Sequence, residues 1–170
     1  MSLEVVAGAL EHAGVRYALI GGLALAARGA ARATLDLDLL TADERVLHPT
    51  FWNIDVDVRK GDFDDPLRGV IRIAGHEPID VVVGRYKWQR DIVERAEPVM
   101  VRGISVPVPT IGDLILLKLF AGGYRDLNDV SELLGIGSRD QLVAAVTSAL
   151  RDLPAEMNER WRRLLSSTRR

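Results

Sequence analysis

The chain has 170 residues, 48% of them hydrophobic, and a formal net charge of -2. That length suits one compact core or a core with an appended subdomain, and the balanced charge gives no general pull toward nucleic acid or anionic membrane. There is no cysteine, which excludes disulfides and thiolate metal sites. No run approaches the roughly 18 apolar residues of a membrane span. The acidic N-terminus "MSLEVVAGALEHAG" also lacks the form of a secretory leader. The expectation is a soluble cytoplasmic protein with no membrane partner.

In chain order, "LEVVAGALEHAG" carries Val6 and Leu10 at helical spacing, with Gly14 as a stop. "VRYALI" reads as a short strand broken by Gly21 and Gly22. "LALAARGA" predicts a short helix ending near Gly29, and "ATLDLDLLT" the next strand. "NIDVDVRK" alternates strictly, and "GVIRIAG" and "PIDVVVG" are two more strands around the turn-like "GHE". "YKWQRDIVERA" follows as a helix, and "PVMVRGISVPVP" as a hairpin turning at Gly103.

After Pro109 the pattern is helical throughout. Thr110 and Asp113 resemble an N-cap and its N3 partner, Asp126 caps "LNDVSELLG", and Ser138 with Gln141 forms a capping box. Pro154 suits the first turn of a last helix carrying Trp161, Leu164 and Leu165. The predicted fold class is α/β (α+β). A mixed sheet flanked by helices spans 1–109, and a helical subdomain packed on it spans 110–170.

Two acids sit one residue apart in "LDLDLL". Side chains two apart on a strand share a face, about 6.5–7 Å apart at the backbone. Asp36 and Asp38 are therefore expected to project together while Leu35, Leu37 and Leu39 enter a core. Paired carboxylates at that spacing suit hard divalent cations such as Mg²⁺, which takes one or two carboxylates plus substrate phosphates. Taken alone, the pair fits an amphipathic strand with a solvated acidic face better. "IDVDV" repeats the spacing at Asp55 and Asp57, so the surroundings must choose. Before Asp36 lies "LIGGLALAARGAARAT", where a strand ends in Gly-Gly and feeds a helix. Such a junction exposes backbone N–H groups, and missing Cβ atoms allow close approach by phosphate. The second pair has no such preface, and is expected to be a solvent-facing alternation or a peripheral part of the cleft.

Asp80 is a third acid, embedded in an apolar strand. It either completes a carboxylate triad with Asp36 and Asp38 or meets water at the strand end. Lys118 interrupts "LILLKLFA", the most apolar helix. It either snorkels to the surface or reaches a nucleotide phosphate, with Asp126 orienting it. Arg32, just before the strand, either reaches a phosphate in the same way or bridges to a neighbouring acid. His12, His48 and His76 are scattered without ligand spacing.

Assembled, these pieces resemble the nucleotidyltransferase superfamily with the polymerase-β-like minimal palm. The signature is Gly-Gly or Gly-Ser after a strand, a short helix, h-D-h-D/E on the next strand, and an acid on a later one. Here it reads Gly21-Gly22, thirteen intervening residues, Asp36-Leu37-Asp38, and Asp80. "GGLALAARGAARATLDLDLLT", "EPIDVVVG" and "DLILLKLFAGGYRDLNDVSELL" resemble more closely the AbiEii-like branch, which includes toxin-type nucleotidyltransferases. The resemblance runs from about residue 15 to residue 135.

The resemblance implies a palm that moves a nucleoside monophosphate from a nucleoside triphosphate (NTP) to an acceptor hydroxyl. Asp36, Asp38 and Asp80 would be catalytic and would bind Mg²⁺ or Mn²⁺. Gly21 and Gly22 would hold the triphosphate, and Lys118 and Arg32 would contact it. The acceptor would be RNA (a tRNA end among the options), a protein or a small molecule, and an antitoxin-type partner is implied. The second glycine replaces a serine common in the family, which removes a hydroxyl donor. From Arg151 onward six arginines face three acids, a basic tail for RNA or a solvated helix end. The competing readings are a catalytically idle nucleotide-binding protein on the same fold and a metal-dependent nuclease.

Overall fold

The computed structural model describes residues 2–31 and 36–167. Residue contacts divide the chain into two compact units. The first comprises residues 1–27 and 31–109, and the second residues 28–30 and 110–170.

In the first unit, helix α1 (Leu3–His12) buries Val6 and Leu10, and Gly14 follows it at φ +66°. Strand β1 (Tyr17–Ile20) runs directly into α2 (Gly21–Ala27). Strand β2 (Leu37–Thr41) is followed by two 3₁₀ turns, Glu44–Leu47 and Pro49–Phe51, which periodicity did not anticipate. Asp43 opens the first of them, accepting from the Arg45 N–H at 3.0 Å. Strands β3 (Asp57–Lys60), β4 (Leu67–Ile73) and β5 (Ile79–Gly84) precede α3 (Lys87–Glu94), whose Gln89 side chain accepts from the Tyr86 N–H.

These strands form one mixed sheet in the order β1-β2-β5-β4-β3. Only β2 and β5 are parallel; the other pairs are antiparallel. One face carries Leu19, Leu39, Val81 and Ile71 in register, all fully buried. Each such side chain contributes about 1.5–3 kcal/mol through burial. Helices α2 and α3 both pack near β1 and β2.

Two predicted strands are shorter than their alternation suggests. The ladder of β2 begins at Leu37, which leaves Asp36 one residue outside. The register would set Asp36 opposite Pro78, and proline has no N–H to extend a parallel ladder. Similarly, β3 begins at Asp57 and excludes Asp55. It is one of the sheet's two edge strands, largely exposed, and its charges blunt an open edge.

A separate hairpin joins β6 (Glu97–Val101) to β7 (Ile104–Val108). Arg102 and Gly103 turn it with φ of 50° and 86°. Two consecutive positive φ values give the primed turn that matches strand twist.

The second unit is helical: α4 (Ile111–Ala121), α5 (Tyr124–Leu133), α6 (Arg139–Ala149) and α7 (Ala155–Ser167). Helix α4 packs against the other three. The Thr110 side chain caps it by accepting from the Asp113 N–H at 3.2 Å, and Gly122 ends it at φ +69°. Arg160 donates to the Leu119 and Phe120 carbonyls at 2.7 and 2.9 Å, satisfying its C-terminal acceptors. Asp126 caps α5 from inside the helix, accepting from the Gly123 N–H at 3.1 Å, rather than preceding it. The predicted Ser138 cap does not form: no side-chain bond starts α6, although the Leu142 N–H reaches the Ser138 carbonyl. Pro154 stands just before α7 and accepts from the Met157 N–H. No helix among the described residues is long and apolar enough to cross a membrane.

Candidate active site

The face opposite the packed one carries charge in a row. Across the sheet, Ile20, Asp38, Asp80, Arg72 and Asp57 stand in register on β1, β2, β5, β4 and β3. Residues facing each other across a ladder share a side of the sheet. Asp38 and Asp80, 42 positions apart in the chain, are thus direct neighbours, with backbones about 4.8 Å apart. Both are half-buried. Two carboxylates about 5 Å apart repel by roughly 3 kcal/mol at an effective dielectric constant near 20. The pair therefore calls for positive charge.

Part of that charge comes from Arg72, whose Nε lies 3.6 Å from Asp80 Oδ1. That distance is beyond hydrogen-bond range. Asp80 Oδ1 is buried and accepts no hydrogen bond among the described residues. An orphaned carboxylate oxygen beside a second carboxylate is a hard donor set that fits Mg²⁺ or Mn²⁺. The fit extends to two acids. Among the described residues no group of three or more His, Asp or Glu is close enough to hold a metal ion. Asp36 is exposed at the entrance to β2, outside the ladder that positions the other two.

Gly21 closes the opposite side of the pair. Its φ of +68° belongs to the left-handed region. A Cβ there would overlap the Asp38 carboxylate, with Cγ only 2.9 Å away. The missing side chain therefore lets the β1–α2 junction lie directly against Asp38. Gly22 follows in the first turn of α2. Arg32 and Leu35 lie outside the described residues.

Asp55 and Asp57 are both exposed, and Asp57 pairs with Arg59 at 3.3 Å. A cleft of about 350 Å³, lined by His48, Lys60, Arg68 and Arg85 among others, lies toward the C-terminal end of β5. The acid pair is at the N-terminal end of that strand, and neither Asp38 nor Asp80 lines the cleft.

In the second unit Lys118 is held by two carboxylates, Asp126 at 2.9 Å and Asp129 at 2.8 Å. Its side chain is 16% exposed and that of Asp129 3%. Burial pulls the ammonium pKa down, but the carboxylates outweigh burial and raise it above the ordinary lysine value. Lys118→Met is expected to cost about 3 kcal/mol in urea unfolding, because it strands a buried carboxylate. The contribution is complete below the unfolded lysine pKa and is lost as pH rises through the raised folded one. On the alkaline side the stability gap between wild type and Lys118→Met should therefore narrow only above pH 10.5, and a gap that persisted after the lysine had lost its proton would contradict this assignment.

Arg72 was not singled out from the sequence. The signal was present in "GVIRIAG", where one arginine interrupts an apolar strand as Asp80 interrupts its own. Their juxtaposition depends on register, which the sequence does not display.

A family model described as "Nucleotidyltransferase of unknown function (DUF6036)" matches residues 4–165. No curated protein matches the chain. Solved structures with a similar fold include the following three. One is the solution structure of the antibiotic-resistance factor ANT(2″)-Ia, at 12% identity, covering 86% of this chain and 88% of that one, with a TM-score of 0.56. Another is a Thermotoga maritima protein assigned to the nucleotidyltransferases, at 18% identity, 78% and 90% coverage and a TM-score of 0.55. The third is the lincosamide antibiotic adenylyltransferase LnuA with lincomycin bound, at 17% identity, 79% and 96% coverage and a TM-score of 0.50.

Proposed function

Because the chain belongs to this nucleotidyltransferase family, we propose that it moves a nucleoside monophosphate from an NTP to an acceptor hydroxyl over the Asp38–Asp80 face. The observation that supports this most directly is the register pairing of those two acids, with the Gly21 backbone against one of them. In this reading Gly21 and Gly22 present backbone to the triphosphate. Asp38 and Asp80 would hold Mg²⁺ or Mn²⁺, with Asp36, exposed at the entrance to β2, as the proposed third ligand. The bound ion supplies charge neutralisation and polarises phosphoryl oxygens.

The chain's own residues account for the rest. The acceptor hydroxyl lies over Asp80, whose carboxylate accepts its proton. The acceptor oxygen forms a bond to the α-phosphorus, and the bond from that phosphorus to the bridging oxygen of the β-phosphate breaks. The electron pair leaves with pyrophosphate. Positioning and electrostatics carry this class of reaction.

The AbiEii-like affiliation belongs to this proposal. The ordered string Gly21-Gly22, Asp36-Leu37-Asp38 and Asp80 supports it, and the antitoxin-type partner follows only from that affiliation. The acceptor classes within the proposal are RNA, protein and small molecule; LnuA provides an example of the last, with lincomycin bound.

Incubating the protein with each labelled NTP, Mg²⁺ and a cell extract should label one acceptor class. Asp36→Asn should abolish that labelling with the fold intact, whereas Asp55→Asn should retain it within about twofold, as expected for an exposed residue outside the row. Equal loss in both variants would mean that the wrong acidic pair has been assigned.

A further inference from the structure

The row of charges has a direction. On the face that carries Asp38, Gly21 lies on the β1 side and Arg72 on the far side of Asp80. Strand spacing puts the Arg72 backbone about 5 Å from Asp80 and about 10 Å from Asp38. Its side chain is 53% exposed. Among the described residues its guanidinium donates no hydrogen bond, since Asp80 is too distant at 3.6 Å. Asp57, its other strand neighbour, is engaged by Arg59. Beside it on the same face, Val82 and Val70 stand in register and half-buried, forming an apolar shelf.

We propose that Arg72 is a specificity-determining residue that binds a phosphate carried by the acceptor close to its attacking hydroxyl. This rests on the transferase reading above. If the triphosphate lies over Gly21 and the hydroxyl over Asp80, the next group along the row on the acceptor side is this guanidinium. Its planar fork of donors matches phosphate in a bidentate manner. The valine shelf takes the apolar face of the attached sugar or base. A cationic acceptor would meet like charge at this point and be disfavoured.

Phosphate beside a hydroxyl occurs in a polynucleotide end and in a small sugar phosphate, so the test uses both. Binding of an oligoribonucleotide, of ribose 5-phosphate and of lincomycin to the full chain is measured by calorimetry without metal. Transfer from the preferred NTP to each is measured with Mg²⁺. Wild type, Arg72→Gln and Arg72→Lys are compared.

The expected result is that a phosphate probe binds and that Arg72→Gln weakens it about tenfold or more, as loss of a charge-assisted pair implies. The acceptor KM should rise by a similar factor, the NTP KM should not change, and Arg72→Lys should restore part of the loss. A response with the oligoribonucleotide alone identifies a polynucleotide acceptor; equal response with ribose 5-phosphate identifies an isolated phosphate. Unchanged phosphate binding in Arg72→Gln, a raised NTP KM instead, or lincomycin as the preferred acceptor overturns the proposal while leaving the transferase reading intact. Arg72-dependent phosphate binding with no nucleotide turnover by wild type would instead overturn the transferase reading and leave Arg72 as a phosphate-binding residue.

Discussion

Asp38→Asn is expected to lower nucleotidyl transfer on the order of 10³-fold, about 4 kcal/mol of transition-state stabilisation, without destabilising the fold. The substitution preserves shape and removes one charge. That charge lies in register with Asp80, which makes it central to the proposed cation seat. The side chain keeps its shape, so the loss of transfer should far exceed any loss of thermal stability, a combination that a merely structural aspartate would not give. Lost activity that only tracks a collapsed Tm would count against the assignment. The readouts are a single-turnover transfer assay and thermal unfolding of the same preparation.

Gly21→Ala carries the second large effect. The position requires a left-handed backbone, which costs a residue with a Cβ about 1–2 kcal/mol. It also requires space that the Asp38 side chain already fills, with Cγ at 2.9 Å and Cβ at 3.1 Å from the added atom. The short aspartate cannot yield with a flexible end, so its carboxylate must rotate out of the pair. Transfer should fall about 100-fold, in line with misplacement of a catalytic group, and Tm should drop by about 2–8 °C. Gly103→Ala separates the two causes. Gly103 also has positive φ, +86°, but a Cβ there meets nothing within 4 Å. It should lower Tm comparably and leave transfer unchanged. If both variants lose transfer equally, backbone strain rather than contact with Asp38 is responsible.

Much of the fold was legible because its signals are local. Tyr17–Ile20 and Ile79–Gly84 announce themselves by β-branched and aromatic residues. Helix ends coincide with left-handed glycines at Gly14 and Gly122, and the hairpin turns at Gly103, where only near neighbours matter. Ser138 shows the limit of such reading. Its sequence fits a capping box, yet its side chain makes no cap. The strand over Asp36 fails for a non-local reason, since the residue opposite it is Pro78.

Local pattern was enough to keep Leu37 and Leu39 in the core and the acids off it, and to mark the glycine that lies against Asp38. Those signals depend on residues within a few positions of one another. Long-range packing was needed to pair β2 and β5 in parallel with Asp38 against Asp80, to set Arg72 next in the row, and to give Lys118 two carboxylates. Register between strands separated by a long crossover is set by how whole faces bury together. A one-residue slip of β5 would turn Asp80 to the other side of the sheet.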